Sequence, residues 1–166
     1  MSNVQHVLFY SQITFAMNAA RIHKSLAMDR EFNRTERELI TYSQGVMIIN
    51  AAKIWDRTGY NIEKFIRQSN AKDDEKGRLL KGALKIKTGH RVTIDKVKLW
   101  RNKLIAHLDK DMNTTEQFNE FDGDVSDIQM MIQDVADLVS SASWYPEKNR
   151  PMTFLDYDQI KSELKL

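Results

Sequence analysis

Apolar residues recur at helical spacing along most of this chain, and no stretch alternates apolar and polar residues for long enough to demand a β-sheet. A helix that is apolar along one side must bury that side against other helices. The chain is therefore predicted to be all-α: an up-and-down bundle of about four main helices with short extra helices. We find no internal repeat and no low-complexity tract.

The first predicted helix runs from Val4 to Met28. The 3.6-residue period assigns its buried face to Val4, Val7, Leu8, Ser11, Phe15, Ala19, Ile22 and Leu26. Thr35 and Glu38 match a capping box, which predicts a second helix from there to about Arg57. Asn61 is positioned to cap a short helix through Phe65 and Ile66.

A charged helix is predicted from Lys72 to Leu84, followed by a break at Gly89 and His90. Thr93 then caps a helix whose apolar stripe is Ile94, Val97, Trp100, Leu104 and Leu108. Asp124 opens a further helix, with an inward face formed by Val125, Ile128, Met131, Ile132, Val135, Leu138 and Val139. Residues 1–143 are expected to form one helical domain, and residues 144–166 an extension packed on it with a short helix from Asp156 to Leu164.

Composition limits the class of protein. With 166 residues the chain is long enough for one domain with a substantial core. The absence of cysteine excludes disulfides, thiolate catalysis and cysteine-based metal sites. No long apolar run or signal-like N-terminus is found, so a cytoplasmic protein that does not engage membranes is expected.

Charge is distributed unevenly, although the formal net charge is only +2. Residues 1–71 carry a net charge of +3, residues 72–103 carry 11 Lys/Arg against 4 Asp/Glu for +7, and residues 104–166 carry −8. The basic segment would attract a polyanion, or it would be a solvated helix face balanced by the acidic third of the chain. The first reading requires the basic side chains to gather on one face.

The basic segment ends in the stretch that carries the most chemistry, Trp100 to His107. Arg101, Asn102 and His107 lie there within two helical turns. An Arg followed by a His at this spacing is expected about once by chance in such a composition, so the spacing alone is a weak signal. The Asn directly after the Arg and the position near the end of an amphipathic helix make the pattern more specific.

These residue types suit RNA cleavage without a metal. RNA supplies its own nucleophile, the 2′-hydroxyl, so the protein has to provide a base, an acid and a cation for the phosphorane. The His107 imidazole can serve as acid or base near neutral pH, and the Arg101 guanidinium binds phosphate oxygens bidentately. Asn102 would orient the phosphate or the imidazole. No metal or other cofactor is expected.

The stretch from Arg101 to His107 resembles the signature of the HEPN superfamily, in which Arg, four to six residues and His follow one another, usually with a polar residue after the Arg. The flanking residues Leu99 to Asp109, together with Ile54-Trp55-Asp56 and the segment from Phe121 to Leu138, resemble the branch named for abortive-infection protein U.

The resemblance implies a metal-independent ribonuclease, often the toxic half of a toxin–antitoxin or phage-defence system, that acts as a homodimer. Carried over residue by residue, Arg101 and His107 are the catalytic pair and Asn102 is the supporting residue. A cognate antitoxin, of the nucleotidyltransferase type or another, is the implied partner besides RNA. Related toxins that are silenced by nucleotidylation carry a Tyr two residues after the His. This chain has Asp109 there, which puts that control in doubt.

Helix geometry adds a constraint on the site. On one regular helix, positions 101 and 107 lie about 120° apart around the axis and about 9 Å apart along it. A two-fold dimer would place two Arg and two His around a shared cleft, and reach of the Arg101 side chain or fraying near Ala106 would be the solution within one chain. We expect the dimer. Lys103, Lys98 and Arg91 are the candidate substrate-binding residues.

Two other interpretations remain open. In one, the protein is a non-catalytic helical module that binds a protein or a nucleotide, and Arg101 and His107 recognise an anion. In the other, it is a purely structural bundle. Asp56, beside Trp55 at a helix end, is interpreted as a surface charge, with support of the site as the alternative.

Overall fold

The computed structural model describes residues 3–26, 33–107, 125–145, 152, 154–156, 158–159 and 162, with the backbone alone for residues 3–6 and 104–107. Within these residues the chain is helical and contains no strand, which confirms the all-α prediction. The helices are α1 (Asn3–Leu26), α2 (Arg34–Ile54), α3 (Ile62–Gln68), α4 (Asp73–Gly89), α5 (Arg91–His107) and α6 (Val125–Ser140). In the described part of the chain, no helix is long and apolar enough to cross a membrane.

One core joins all six of these helices. Helix α1 packs on α2 and α6, α2 packs on α5, and α4 packs on α3 and α6. The inward face predicted for α6 is confirmed: Ile128, Met131, Ile132 and Val135 are fully buried or nearly so. Leu138, the least buried member of that face, packs against the core from its edge.

The buried face predicted for α1 is largely wrong. The structure buries Phe9, Ile13 and Ala16, whereas Leu8 and Phe15 are more than half exposed. Ala19 and Leu26 are buried as predicted. The reason is that α1 is apolar on two sides. The spacing of its apolar residues therefore predicts a helix but does not indicate which side packs against the core.

Helix α2 begins two residues earlier than predicted. The capping box is formed by Asn33 and Glu36 rather than by Thr35 and Glu38. The Glu36 backbone N–H donates to Asn33 Oδ1 over 2.9 Å, and the Asn33 backbone N–H donates to Glu36 Oε2 over 3.0 Å. The cap pattern occurs twice in overlap, and the earlier copy satisfies the same orphan N–H groups for a longer helix.

The turn between α2 and α3 is fixed by Asn61, as predicted. Its Oδ1 accepts a hydrogen bond from the Lys64 backbone N–H over 2.9 Å and so caps α3. Its Nδ2 donates back to the carbonyl oxygen of Asp56. Phe65 of α3 stacks on Phe9 of α1 with ring centroids 4.3 Å apart, so the turn is held against the N-terminal half of α1.

Helices α4 and α5 are separated by His90, close to the predicted break. Helix α4 continues five residues beyond the predicted end, and α5 begins at Arg91 rather than at Thr93, which is buried inside the helix. The His90 N–H donates to the Ile86 carbonyl and the His90 carbonyl accepts from Ile94, so each helix is satisfied across a one-residue junction. His90 Nε2 lies 2.7 Å from Asp134 Oδ2, which ties the junction to α6.

The C-terminal residues that the structure describes pack on α1. The Leu155 N–H donates to Asn18 Oδ1 over 3.0 Å, Arg21 donates to the Leu155 carbonyl, and the Arg21 guanidinium lies 5.5 Å from the Phe154 ring centroid. Of the predicted terminal helix from Asp156 to Leu164, residues 158, 159 and 162 are helical, Asp156 is not, and the other residues lie outside the described part of the chain. The division of the chain at residue 143 stays a prediction.

Two glycines of α4 allow a test of this packing. A methyl group added at Gly82 would lie 2.5 Å from Leu138 Cδ1, whereas one added at Gly77 would meet nothing within 4 Å. Gly77→Ala is expected to raise the free energy of unfolding by about 0.5–1 kcal/mol, because alanine favours the helix. Gly82→Ala is expected to gain less, because Leu138 has to move. Urea unfolding of both variants checks this, and equal gains would contradict the close approach of α4 and α6.

Candidate functional site

Arg101 is held in place by a carboxylate from the loop between α2 and α3. Its Nη1 donates to Asp56 Oδ2, and the two side chains are only 20% and 22% exposed. Asp56 lies two residues beyond the end of α2, so the contact bridges 45 positions of the chain. A charge-assisted hydrogen bond in a half-buried place is stronger and less screened than one in open water. The pair therefore fixes both the position and the direction of the guanidinium.

Asn102 also contacts the guanidinium. Its Oδ1 accepts from Arg101 Nη2 over 3.0 Å and from Arg101 Nε over 3.3 Å. Since a guanidinium only donates, the amide has to present its oxygen, and its NH₂ group is left to face elsewhere. Sequence reasoning expected Asn102 to orient the phosphate or the imidazole. In the structure it orients Arg101.

The guanidinium retains donors for a ligand. Of its five N–H groups, the contacts with Asp56 and Asn102 use one each on Nε, Nη1 and Nη2. One N–H on each terminal nitrogen has no partner in these contacts. These two N–H groups can donate to phosphate oxygens.

The loop that carries Asp56 is itself anchored in the core. Trp55 is 4% exposed, and the Asp56 backbone N–H donates to the Lys53 carbonyl over 3.4 Å. The Asp56 carbonyl accepts from Asn61, the cap of α3. The interpretation of Asp56 as a surface charge is therefore wrong, because the carboxylate is held against Arg101. No local sequence signal marks a pairing between residues so far apart along the chain.

His107 is the last residue of α5. Its side chain lies outside the described part of the structure, as do Asp109 and the segment that follows. Helix α5 is continuous from Arg91 through His107. His107 follows Arg101 by six residues, so the two positions lie about 120° apart around the helix axis. Position 107 is four residues after Lys103 and eight after Leu99, so it lies on their side of α5 and not on the side that carries Arg101 toward Asp56.

Of the predicted substrate-binding residues, Arg91 and Lys98 lie two turns apart on the same side of α5, and Lys103 lies on another side. Lys98 is one turn before Arg101 and partly exposed, on a neighbouring face. Lys103 is exposed, and its Nζ lies 4.7 Å from the ring centroid of Trp100. Arg91 lies about 15 Å away along the axis, with its Nε 3.8 Å from Asp95 Oδ2 in an exposed pair. The structure thus brings Asp56, Arg101 and Asn102 together, with Lys98 beside them.

A double-mutant cycle measures how strongly Asp56 and Arg101 interact. We expect Asp56→Ala, Arg101→Ala and the double variant to give a coupling of about 1–2 kcal/mol in urea unfolding, because the pair is half-buried and hydrogen-bonded. The matched control is Arg34 and Glu38, an exposed i,i+4 pair at 3.0 Å with 93% and 67% exposure, for which about 0.3–0.5 kcal/mol is expected. Additive effects at Asp56 and Arg101 would contradict the anchoring.

Comparison with known proteins identifies the family of the chain. No curated protein and no solved structure matches the chain. The family model described as AbiU2, within HEPN, matches residues 40–164, from the first half of α2 through the described C-terminal residues. The matched region contains Asp56, Arg101, Asn102 and His107 and covers more than half of the chain, so the protein belongs to the AbiU2 family of HEPN proteins.

Proposed function

We propose that the protein is a HEPN-type endoribonuclease that cleaves RNA without a metal ion. The observation that carries the proposal is the Arg101 guanidinium, which is fixed by Asp56 and Asn102 and keeps two N–H donors for a phosphate. The motif reaches His107 on the same helix. Membership of a HEPN family supports the assignment, since the family is the one in which this motif is expected to cleave RNA.

The reaction begins with the ribose of the substrate. The 2′-hydroxyl attacks the adjacent phosphorus while a base takes its proton, and the 5′-oxygen leaves with a proton from an acid. Negative charge develops on the non-bridging phosphate oxygens, where the Arg101 N–H groups stabilise it. His107 serves as base or acid. The products are a 2′,3′-cyclic phosphate and a 5′-hydroxyl, so atoms and protons balance without an external nucleophile.

Asp56 and Asn102 act through Arg101 in this scheme. A guanidinium that is already oriented loses little side-chain entropy when the phosphorane forms, and donors that are fixed in advance need no reorganisation at that moment. Lys98 adds positive charge beside Arg101, and Lys103 and Arg91 extend the basic surface that attracts the RNA backbone. These three are the proposed substrate-binding residues.

The site is proposed to be completed by a second copy of the chain. A regular helix separates positions 101 and 107 by about 9 Å and about 120°, so one chain does not aim both at the same phosphate. In a two-fold dimer, two Arg101 and two His107 would surround a shared cleft, and one imidazole would act as base while the other acts as acid. The RNA strand would lie in this cleft.

We propose that the protein is the toxin of a toxin–antitoxin or phage-defence system, and the name of the AbiU2 family supports this proposal. A toxin of this kind needs a partner that restrains it. Asp109 stands where nucleotidylated relatives carry a Tyr, which argues against control by modification at that position, and a bound antitoxin is the proposed form of control.

Cleavage of a mixed RNA pool in the presence of EDTA tests the proposal. The full-length protein is expected to produce fragments that end in 2′,3′-cyclic phosphate. Arg101→Ala and His107→Ala are each expected to lower the rate by about 100-fold or more, because each removes a charge-stabilising or proton-transferring group. Arg34→Ala, an exposed cation at the start of α2, is the matched control and should cleave at the wild-type rate.

Cleavage that survives both substitutions would refute the roles given to Arg101 and His107. If the wild-type protein does not cleave RNA and its expression does not arrest growth, the non-catalytic binding module replaces the ribonuclease.

A further inference from the structure

Asn61 makes two hydrogen bonds with the two ends of its side-chain amide. The oxygen, Oδ1, accepts from the Lys64 backbone N–H over 2.9 Å and caps α3. The nitrogen, Nδ2, donates to the backbone carbonyl oxygen of Asp56. An aspartate would cap the helix equally well, but an ionised carboxylate only accepts hydrogen bonds. The contact with Asp56 therefore depends on the amide.

Asn61 is itself firmly held by the core. It is 9% exposed. The preceding residue, Tyr60, contacts the rings of Phe9 and Phe65 edge-on, with ring centroids 6.3 and 6.4 Å apart. Water competes little for a hydrogen bond made by a residue that is buried in this way. Asn61 is therefore a fixed point beside the loop that follows α2.

The other contacts along this loop restrain Asp56 less. The Asp56 backbone N–H donates to the Lys53 carbonyl over 3.4 Å, which is longer than an ordinary hydrogen bond of this type. Gly59 passes close by, since a methyl group added there would lie 3.8 Å from Asp56 Cβ, but a van der Waals contact has little directionality. The hydrogen bond from Asn61 thus gives the backbone at Asp56 a directional restraint.

We infer that Asn61 is a positioning residue of the Arg101 site. Its amide nitrogen fixes the backbone from which the Asp56 carboxylate extends, and that carboxylate accepts from Arg101 Nη1. A displacement of about 1 Å in a group that positions a substrate can lower a rate by about 100-fold. In this role Asn61 does not touch the RNA and acts only through Asp56 and Arg101. The inference rests on the proposed function, because it adds a residue to the same site.

The kinetics of Asn61→Asp and Asn61→Ser test the inference. Both variants keep an oxygen that caps α3 and remove the amide nitrogen, and only the aspartate adds a charge. Each is expected to lower kcat for RNA cleavage by about 3- to 10-fold with little change in KM, because the guanidinium is less well placed while the lysines still bind RNA. Asn33→Asp and Asn33→Ser are the matched controls: they make the same changes at the exposed cap of α2 and should keep the wild-type kcat.

A double variant establishes whether Asn61 acts through Asp56. If it does, Asn61→Ser combined with Asp56→Asn lowers kcat no further than Asp56→Asn alone. A residue that only stabilises the fold would instead give independent losses that multiply. Circular dichroism and urea unfolding establish that each variant is folded. A wild-type kcat in both Asn61 variants would overturn the inference, and so would multiplying losses in the double variant or an equal loss in the Asn33 variants.

The coupling between Asp56 and Arg101 in urea unfolding is measured without RNA. In the Asn61→Ser background this coupling should fall to about half or less of its value in the wild type. If the coupling falls and the wild-type protein cleaves no RNA, the ribonuclease is refuted and the positioning of Arg101 by Asn61 stands. If the wild type cleaves RNA but the coupling and kcat are unchanged in the Asn61 variants, the ribonuclease stands and the positioning role is refuted.

Discussion

The hydrogen-bonded ion pair between Arg101 and Asp56 is the interaction on which the proposed chemistry depends. It joins the middle of α5 to the loop after α2, and both side chains are about one-fifth exposed. An arginine on an exposed helix would lose rotamer freedom only when it bound its ligand, at a cost in free energy. Here Asp56 and Asn102 have already fixed the guanidinium, and the loop beneath Asp56 is fixed by Trp55 and Asn61. The guanidinium is therefore held by contacts that lead back to the core.

Helix α1 differs in charge from helices α4 and α5. Helix α1 carries no charge over its first 18 residues and has apolar side chains on both sides, which suits burial on both sides. Helices α4 and α5 carry exposed lysines, and α5 also carries the fixed guanidinium, which suits a polyanion. Burying lysines in a protein contact would cost free energy, and leaving an apolar stripe in water would also cost free energy.

Local signals made much of the fold predictable from the sequence. Asn61 caps α3 and the apolar face of α6 is buried, as expected, because capping and helical periodicity are decided within a few residues. The buried side of α1 was not predictable, since Phe9 and Phe15 are equally apolar and the choice between them is made by packing on α2 and α6. The start of α5 was also missed, because His90 satisfies both helix ends and Thr93 is not needed as a cap.

The candidate site also contains residues that local sequence predicts and one that it does not. Arg101, Asn102 and His107 were visible as a motif because they are close in sequence. Asp56 was not, because its contact with Arg101 depends on how α2 packs on α5, and nothing in the local sequence records that packing. The sequence predicts Asn102 as a site residue but does not predict that its Oδ1 accepts hydrogen bonds from Arg101, because that contact depends on where the guanidinium lies.

The kinetics of Asp56→Asn test the central claim most directly, namely that Asp56 positions Arg101 for RNA cleavage. The substitution keeps the size of the side chain and removes its charge. If the account is right, kcat falls by about 10- to 100-fold while KM changes little, because the lysines still bind RNA and the guanidinium is no longer held for the transition state. Asp56→Glu should restore part of the loss, and Glu38→Gln, an equivalent change at an exposed carboxylate, should have no effect. A wild-type kcat for Asp56→Asn would contradict the account.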